Sequence, residues 1–379
     1  MPDNIDDIAL GQPTVGEPEL AAIAEVFRSG WLAGAGPACA RFEERFAAVA
    51  GTAHALATSN CGAALHLAML VLDVRPGDEV VVADYTFPAT AHAVAQMGAT
   101  PVFADVRPDT LTLDAAAALA AVTPRTVGIV AVDVAGQPAD YDALRAVADR
   151  HGLFLVEDAA CAAGARYRGR PAGSLADVAT FSFHGRKGIT AGEGGALTSD
   201  RGDLVDRART LHTYGVAPAL TREGAVGLPI PSFTELGHNY RLSDVQAAIM
   251  GVQLDRLPAL LDARRRVAER YQELLKDLDE ITTPVTGADR EHPWQAYLIT
   301  VDPSVSRDRL ASALRSAGVR TTIGTYACHL QPVYGSDREC PVSADLFRRQ
   351  LALPMHANLT DEQVERVASA VREGLAGLR

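Results

Sequence analysis

Short apolar runs alternate with helical patterns through roughly the first 250 residues of the chain. The runs are nearly continuous in Val, Ile, Leu and Phe, which is typical of strands buried on both faces of a sheet. Their alternation with helical spacing favours a mostly parallel sheet that is flanked by helices. Seven strands are predicted, at residues 54–59, 79–83, 100–106, 126–133, 153–158, 178–183 and 195–199. Helices are predicted between them, at residues 63–72, 89–97 and 140–150.

A second pattern follows from Ser243 onward. A long helical stretch runs from Ser243 to about Leu275, and a smaller unit comes after it. That unit is predicted to contain a strand at 295–301, a helix at 307–317, a strand at 319–323 and a final helix at 361–375. We therefore expect an α/β protein with a large domain at residues 1–250 and a small C-terminal α+β domain at residues 251–379. Residues before about Gly30 are expected to pack back on the second unit.

Composition and charge narrow the classes of function. Of the 379 residues, 48% are hydrophobic and 22% are charged, which is typical of a globular enzyme. The net charge of −12 repels polyanions, so nucleic acid is not an expected partner. No apolar run approaches the roughly 20 residues that span a bilayer, and the acidic start does not resemble a signal peptide. No membrane partner is expected.

The five cysteines are odd in number and widely spaced, with no C-x-x-C motif. This spacing argues against a disulfide framework and fits a reduced cytoplasm. No tight cluster of His, Cys and Asp has the spacing of metal ligands, so no metal is expected.

Candidate chemistry lies just after the predicted strands, because ligands of open α/β sheets bind beyond the carboxyl ends of the strands. Strand 153–158 ends in Glu157 and Asp158, which point to opposite faces and cannot both face one ligand. Lys187 follows strand 178–183 in a glycine-rich turn, where a desolvated amine can form a Schiff base. A surface lysine in a flexible loop is the alternative. The strand-to-helix turn at 59–64 offers free N–H groups to a phosphate, or is a tight turn without a ligand.

Several motifs stand in the order of one known family. The sequence FSFHGRK at 181–187 is preceded by EDAA at 157–160 and followed by GEGG at 192–195. Further motifs are SGWL at 29–32, PGDEV at 76–80, GQPAD at 136–140, GHNYRL at 237–242 and HLQPVY at 329–334. Over nearly its whole length the chain resembles the DegT/DnrJ/EryC1/StrS family of pyridoxal-phosphate (PLP) dependent sugar aminotransferases. The resemblance implies the fold type I of aspartate aminotransferase.

The resemblance also implies roles for individual residues. Lys187 is expected to carry PLP as a Schiff base and to move protons, with pyridoxamine phosphate as the intermediate form of the cofactor. Asp158 is expected to pair with the pyridinium nitrogen, which keeps the ring able to accept electrons. Phe87 corresponds to the aromatic residue that stacks on the ring, and Ser182 to a hydroxyl that binds the phosphate. Asn239 corresponds to an asparagine that reaches this phosphate from the neighbouring subunit, which implies a homodimer with a shared active site.

The chain departs from the family at the phosphate turn and beside the ring. Asn60, Cys61 and Gly62 are expected to bind the phosphate, but many relatives have a threonine where this chain has Gly62. Backbone N–H groups or Ser182 must then replace the missing hydroxyl. Cys161 stands where Gln or His is usual, near the phenolic oxygen of the ring, and a thiol is a poorer hydrogen-bond partner than an amide.

The usual substrates of the family are L-glutamate as amino donor and a keto-sugar, carried on a nucleoside diphosphate, as acceptor. Such enzymes serve the biosynthesis of aminosugars and secondary metabolites. A guanidinium binds two oxygens at once, so Arg186 and Arg241 suit a phosphate or a carboxylate. Each of these two arginines could equally be an exposed or structural residue. The candidate substrate contacts are Trp31, His184, Arg186, Tyr214, Arg241, Tyr326 and His329. The sequence leaves open whether the amino group goes to the 3- or the 4-position of a hexose. A keto-cyclitol also stays open as the acceptor.

Three other functions were weighed. A PLP-dependent sugar dehydratase on the same scaffold has His where this chain has Lys187. A non-catalytic regulatory relative would keep the fold and lose turnover, against which the Lys187 and Asp158 pair argues. A nucleotide-binding oxidoreductase needs a G-x-G-x-x-G motif after the first strand, and the turn at 59–64 does not supply it.

Overall fold

The computed structural model of the protein describes residues 7–216 and 231–378, and these residues form a mixed α/β fold. The helices in the described residues are α1 Glu17–Ser29, α2 Pro37–Ala50, α3 Cys61–Val71, α4 Ala89–Gln96, α5 Ala115–Ala121, α6 Tyr141–His151, α7 Gly202–Leu211, α8 Asp244–Leu275, α9 Arg307–Ser316, α10 Pro341–Arg349 and α11 Asp361–Ala376. The strands there are β1 His54–Thr58, β2 Glu79–Ala83, β3 Tyr85–Thr86, β4 Thr100–Ala104, β5 Thr126–Val132, β6 Phe154–Asp158, β7 Arg166–Tyr167, β8 Arg170–Pro171, β9 Val178–Ser182, β10 Gly195–Ser199, β11 Ile281–Thr282, β12 Arg290–Glu291, β13 Tyr297–Val301, β14 Thr322–Ile323, β15 Tyr326–Ala327 and β16 Gln350–Leu353.

Seven of these strands form one sheet in the order β1-β10-β9-β6-β5-β2-β4. They are the seven strands that the apolar runs predict, each within two residues at either end. β10 runs antiparallel to both of its neighbours, and the other pairings are parallel. The prediction of a mostly parallel seven-stranded sheet is confirmed.

The sheet is covered on both faces, and β2 shows why its strands are almost wholly apolar. Successive side chains of a strand point to opposite faces. Val80 and Val82 belong to the apolar cluster that includes α3 and α4 residues, whereas Val81 and Ala83 belong to the cluster on the opposite face. A polar side chain at any of these positions would lose its water without gaining a partner. The carboxyl ends of the strands are therefore where polar chemistry is expected.

Helix α8 joins the large sheet to the second unit. Ser243 caps its first turn, and its side chain accepts a hydrogen bond from the backbone nitrogen of Gln246. The first half of the helix, up to Leu260, packs in a cluster with α2, and the second half, from Val267, packs with α11. Residue 250, the expected domain boundary, lies inside this helix, so the division into two domains stays a prediction.

The second unit is built on a four-stranded sheet in the order β11-β13-β16-β14. Sequence analysis predicted β13 and the helices α9 and α11, but it began β14 three residues too early and missed β16. β16 begins at Gln350, directly after α10 ends at Arg349, so no turn residue separates them. Without that separation, the apolar run of β16 resembles a continuation of the helix.

The start of the described chain lies against the second unit, as expected for residues before Gly30. Ile8 forms a parallel bridge with Val319, and the backbone nitrogen of Met355 donates to the carbonyl oxygen of Leu10. This segment therefore runs along one side of the cavity described below. No helix in the described part of the chain is long and apolar enough to cross a membrane.

Candidate active site

A cavity of about 410 Å³ lies beyond the carboxyl ends of β5, β6 and β9. The start of α3 and the turn after β9 form part of its wall, and residues of the second unit, such as Gln295 and Met355, form another part. Eight of the nine predicted cofactor residues line it: Asn60, Cys61, Gly62, Phe87, Asp158, Cys161, Ser182 and Lys187. Of the predicted substrate residues, His184 and Arg186 line it as well.

Asp158 is the last residue of β6 and is only 4% exposed. The hydroxyl of Thr90 donates to Oδ2 at 2.7 Å, and the backbone nitrogen of Ala160 donates to Oδ1 at 3.2 Å. Burial raises the pKa of Asp158, although the Thr90 bond and the nearby Lys187 act against it. Sequence reasoning missed Thr90, because nothing in the sequence shows that the first turn of α4 reaches the end of β6.

Glu157 lies on the opposite face of β6, as strand geometry predicts, and does not line the cavity. Its carboxylate accepts hydrogen bonds from the backbone nitrogens of Gly173 and Leu175. It also faces Asp133, whose buried Oδ2 has no donor among the described residues. Burial raises the pKa of Glu157 to about 7 and the pKa of Asp133 well above its usual range. A proton held between the two carboxyl groups would supply the missing donor.

Lys187 lies in the turn after β9, where its backbone nitrogen donates to the carbonyl oxygen of His184 at 2.8 Å. Its side chain is half-buried, and its Nζ donates to the Sγ of Cys161 at 3.0 Å. Burial acts to lower the pKa of Lys187, but Cys161, Cys61 and Asp158 outweigh it, so the pKa is raised. The amine predicted from the glycine-rich turn therefore reaches the cavity beside the end of β6.

The backbone of the turn before α3 packs directly against the backbone at the start of β10. The side chain of Asn60 caps the helix by accepting from the backbone nitrogen of Ala63 at 2.8 Å. A Cβ atom on Gly195 would lie 2.7 Å from the backbone nitrogen of Cys61, so only glycine fits there. This contact fixes the helix N-terminus at the cavity wall, where its free N–H groups suit an anion. Ser182, at the end of β9, places a hydroxyl in the same wall.

Phe87 is 62% exposed and lines the cavity. Its ring meets the ring of Tyr326 edge-on, with 6.1 Å between the centroids. An exposed aromatic face at a cavity wall suits a planar ring as ligand. Tyr326 itself does not line the cavity.

The remaining predicted residues lie elsewhere in this chain. The guanidinium of Arg241 lies over the ring of Tyr214, 5.5 Å from its centroid. His329 is bound to the buried Asp84 through its ring Nδ1, at 2.7 Å, and through its backbone nitrogen. Cys340 lies near this pair, and the possible ligand atoms of the three residues lie within 4.8 Å of one another, close enough to hold a metal ion. The other two predicted residues, Trp31 and Asn239, are exposed and outside the cavity.

The donor set of the cavity fits PLP. An amine, a buried carboxyl group, a helix N-terminus beside a hydroxyl and an exposed aromatic ring match the aldehyde, ring nitrogen, phosphate and ring face of that cofactor. Together with the sheet order, these residues define the class of the protein as a fold-type-I PLP-dependent transferase.

Comparison with known proteins defines the family. The DegT/DnrJ/EryC1/StrS aminotransferase family matches residues 13–372, and the chain belongs to this family of PLP-dependent sugar aminotransferases. The spore coat polysaccharide biosynthesis protein SpsC of Bacillus subtilis (strain 168) is 36% identical over an alignment of 375 residues that covers 96% of this chain and 96% of SpsC. The aminotransferase TlmJ from Streptoalloteichus hindustanus is 39% identical, with a TM-score of 0.92 over 98% of this chain and 99% of that one.

Solved structures also include ligand-bound relatives. DesI, crystallised in the presence of its TDP-sugar product, is 35% identical to this chain, with a TM-score of 0.88 over 99% of this chain and 94% of DesI. PLP and pyridoxamine-phosphate forms occur among the similar structures, and PLP is the cofactor of the family. The prediction of the family, the fold and the cofactor is confirmed.

Proposed function

We propose that the protein transfers an amino group from L-glutamate to a keto-sugar that is carried on a nucleoside diphosphate. The observation that carries the proposal is the placement of Lys187 and Asp158 in one cavity, although 28 residues separate them in the sequence. DesI, whose structure was determined with a TDP-sugar product, supports the acceptor class. Aminosugar or secondary-metabolite biosynthesis, in the cytoplasm, is the setting that this activity fits.

The residues of the cavity divide the work. PLP, when bound, supplies an electron sink for the carbon that exchanges its amino group. Lys187 holds the cofactor covalently and then moves a proton at the reacting carbon. The carboxylate of Asp158 would accept a hydrogen bond from the protonated ring nitrogen, and the hydroxyl of Thr90 orients that carboxylate by donating to it. Ser182 and the N-terminus of α3 bind the phosphate.

Arg186 is the residue that we assign to an anionic group of a substrate. It is exposed at the cavity and has no ion-pair partner among the described residues. The amine of Lys187, which also lines the cavity, already donates a hydrogen bond to the sulfur of Cys161. A guanidinium that lacks a partner and faces a cavity binds a carboxylate through two parallel hydrogen bonds. Glutamate carries such groups, and a sugar nucleotide carries a diphosphate.

A homodimer with a shared site completes the proposal. Phe233, Leu236 and Val333 are large apolar side chains that are exposed in the single chain, and Leu236 is 96% exposed. Phe233 and Leu236 precede Asn239, the residue expected to reach the phosphate of a neighbouring subunit. A second copy of the chain would bury this apolar surface and bring Asn239 to its partner's cavity.

The experiment that tests the proposed function is a visible absorbance spectrum of the purified protein before and after addition of L-glutamate. We expect a yellow protein whose visible band bleaches with glutamate, and no such band in the Lys187→Ala variant. A band that glutamate does not change would contradict the proposed donor. Near-normal turnover in Lys187→Ala would overturn the assignment of this lysine.

A further inference from the structure

Lys187 and Cys161 form a contact that neither the family resemblance nor the proposed reaction explains. The Nζ atom of Lys187 donates to Sγ of Cys161 at 3.0 Å, and both side chains are half-buried at the cavity. Lys187 follows β9, whereas Cys161 follows β6, so the pairing of these strands brings the two residues together. Of the four other cysteines, Cys61 also lines the cavity, whereas Cys39, Cys328 and Cys340 are buried away from it.

The backbone holds Cys161 in place. Gly136 has φ +107°, which favours glycine, and a Cβ atom there would lie 2.8 Å from the carbonyl oxygen of Cys161. The backbone nitrogen of Ala162 donates to the carbonyl oxygen of Ala159 at 2.8 Å and closes the turn around Cys161. The backbone of Cys161 is therefore closely packed, and the longer side chain of Lys187 reaches the sulfur from the turn after β9.

Three groups that can each lose a proton surround the amine of Lys187. Cys161 and Asp158 face it from the end of β6, and Cys61 faces it from the start of α3. Burial acts to lower the pKa of Lys187, yet these three groups raise it, and Cys161 is the largest of them. The other titratable or charged groups that line the cavity are Asp133, His184, Arg186 and Glu193.

We propose that Cys161 is a positioning residue for Lys187, because its sulfur accepts a hydrogen bond that holds the amine at the cavity wall until the cofactor is captured. The proposal rests on the assignment of Lys187 as the residue that carries PLP. An ammonium group has no lone pair, so Lys187 must lose a proton to solvent before its nitrogen can bond to the aldehyde carbon of the cofactor, whose oxygen would leave as water. Cys161 therefore sets the pH range in which the empty enzyme takes up its cofactor.

The sequence offers an internal reference for measuring the protonation of Lys187. The chain has two lysines, Lys187 and Lys276. Lys276 follows the last residue of α8 and is exposed. Competitive labelling of the cofactor-free protein with acetic anhydride, followed by mass spectrometry, reports the reactivity of each amine in the same molecule across a pH series.

Removal of the sulfur of Cys161 should change the pH at which Lys187 becomes reactive. In Cys161→Ala we expect the midpoint of Lys187 labelling to fall by about one pH unit, which is about a tenfold gain in reactivity at neutral pH. Labelling of Lys276 should not change. Cys161→Gln replaces the sulfur with an amide oxygen that can still accept a hydrogen bond, so its midpoint should lie between those of the wild type and the alanine variant. An unchanged midpoint in Cys161→Ala would overturn the proposal.

Cys61→Ala is the matched control, because Cys61 lines the same cavity but makes no hydrogen bond with Lys187 among the described contacts. Its shift should be clearly smaller than that of Cys161→Ala, and an equal shift would refute a specific role for Cys161. Uptake of PLP, followed by absorbance, should accelerate about tenfold at neutral pH in Cys161→Ala. If Lys187 does not carry PLP, no variant acquires the band although the labelling shift persists. If the inference alone is wrong, every variant acquires the band with one pH profile.

Discussion

Asp158 and its partner Thr90 show how the site depends on single contacts. The carboxylate is buried and accepts two hydrogen bonds, so it is held in one orientation towards the cavity. Asp158→Asn replaces an acceptor with a group that cannot neutralise a protonated ring nitrogen. A lost charge-assisted hydrogen bond corresponds to about a 10- to 100-fold loss of kcat. Steady-state kinetics at saturating cofactor measure this loss, and an unchanged kcat would remove Asp158 from the mechanism.

Arg186 is the second residue whose role is open to a direct test. Arg186→Gln removes the only charge that we assign to a substrate anion, so KM should rise by about 10- to 100-fold with a smaller change in kcat. A rise in KM for glutamate assigns the residue to the donor, and a rise for the sugar nucleotide assigns it to the diphosphate. Arg186→Lys keeps the charge without the paired N–H groups and should lose less. Unchanged KM values for both substrates would contradict the assignment.

At this scale the sequence predicts which residues face the cavity better than it predicts what they touch. Lys187 and Asp158 were expected at the cavity because they lie at or just after the end of a buried strand, and Ser182 was expected there because of the family resemblance. The bonds to Thr90 and Cys161 join segments that are distant in sequence, and they depend on side-chain geometry that no motif records. His329 and Arg241 stand in family motifs, yet in this chain they bind Asp84 and stack on Tyr214.

Two neighbouring strands, β5 and β6, carry a feature that affects the stability of the whole sheet. Glu157 near the end of β6 and Asp133 just after β5 face each other in the core, and the buried Oδ2 of Asp133 has no donor among the described residues. The pKa of Glu157 is raised from 4.5 to about 7, chiefly by burial. The native protein therefore holds this proton more tightly than the unfolded chain does.

The sign of the resulting pH dependence follows from that difference. As the pH rises from about 4.5 to above 7, the contribution of Glu157 to the free energy of unfolding falls. Glu157→Gln has no such proton to lose, so its stability relative to the wild type should be greater at pH 8 than at pH 5. Denaturant unfolding at both pH values measures the difference. Asp133→Asn should also be more stable, relative to the wild type, at pH 8 than at pH 5. If the stability of the variants relative to the wild type did not change with pH, the shared proton would be refuted.

The elements that sequence analysis predicted well are those bounded by turn residues. The strands of the large sheet are short apolar runs between glycines, prolines and charged residues, so their limits are visible in the sequence. β16 follows α10 without a turn, and the run at 319–323 is divided between a bridge to Ile8 and the short strand β14. Their pairing depends on distant segments, which a local pattern does not encode.

The whole molecule is proposed to work as a dimer in which each cavity uses residues of both copies. If Asn239 serves the partner's cavity, Lys187→Ala and Asn239→Ala damage different copies of the shared site. An equimolar mixture of the two inactive variants, refolded together, then contains mixed dimers with one intact site. We expect about a quarter of the wild-type activity after random pairing. Activity no higher than that of the separate variants would contradict the shared site.

The central claim is that this fold presents Lys187 to PLP, and the pair of lysines makes it directly testable. The protein is incubated with PLP, reduced with borohydride, digested and examined by mass spectrometry for the lysine that carries the cofactor. The account predicts that the peptide containing Lys187 carries PLP and that the peptide containing Lys276 does not. Cofactor on Lys276 alone, or on neither lysine, would contradict it.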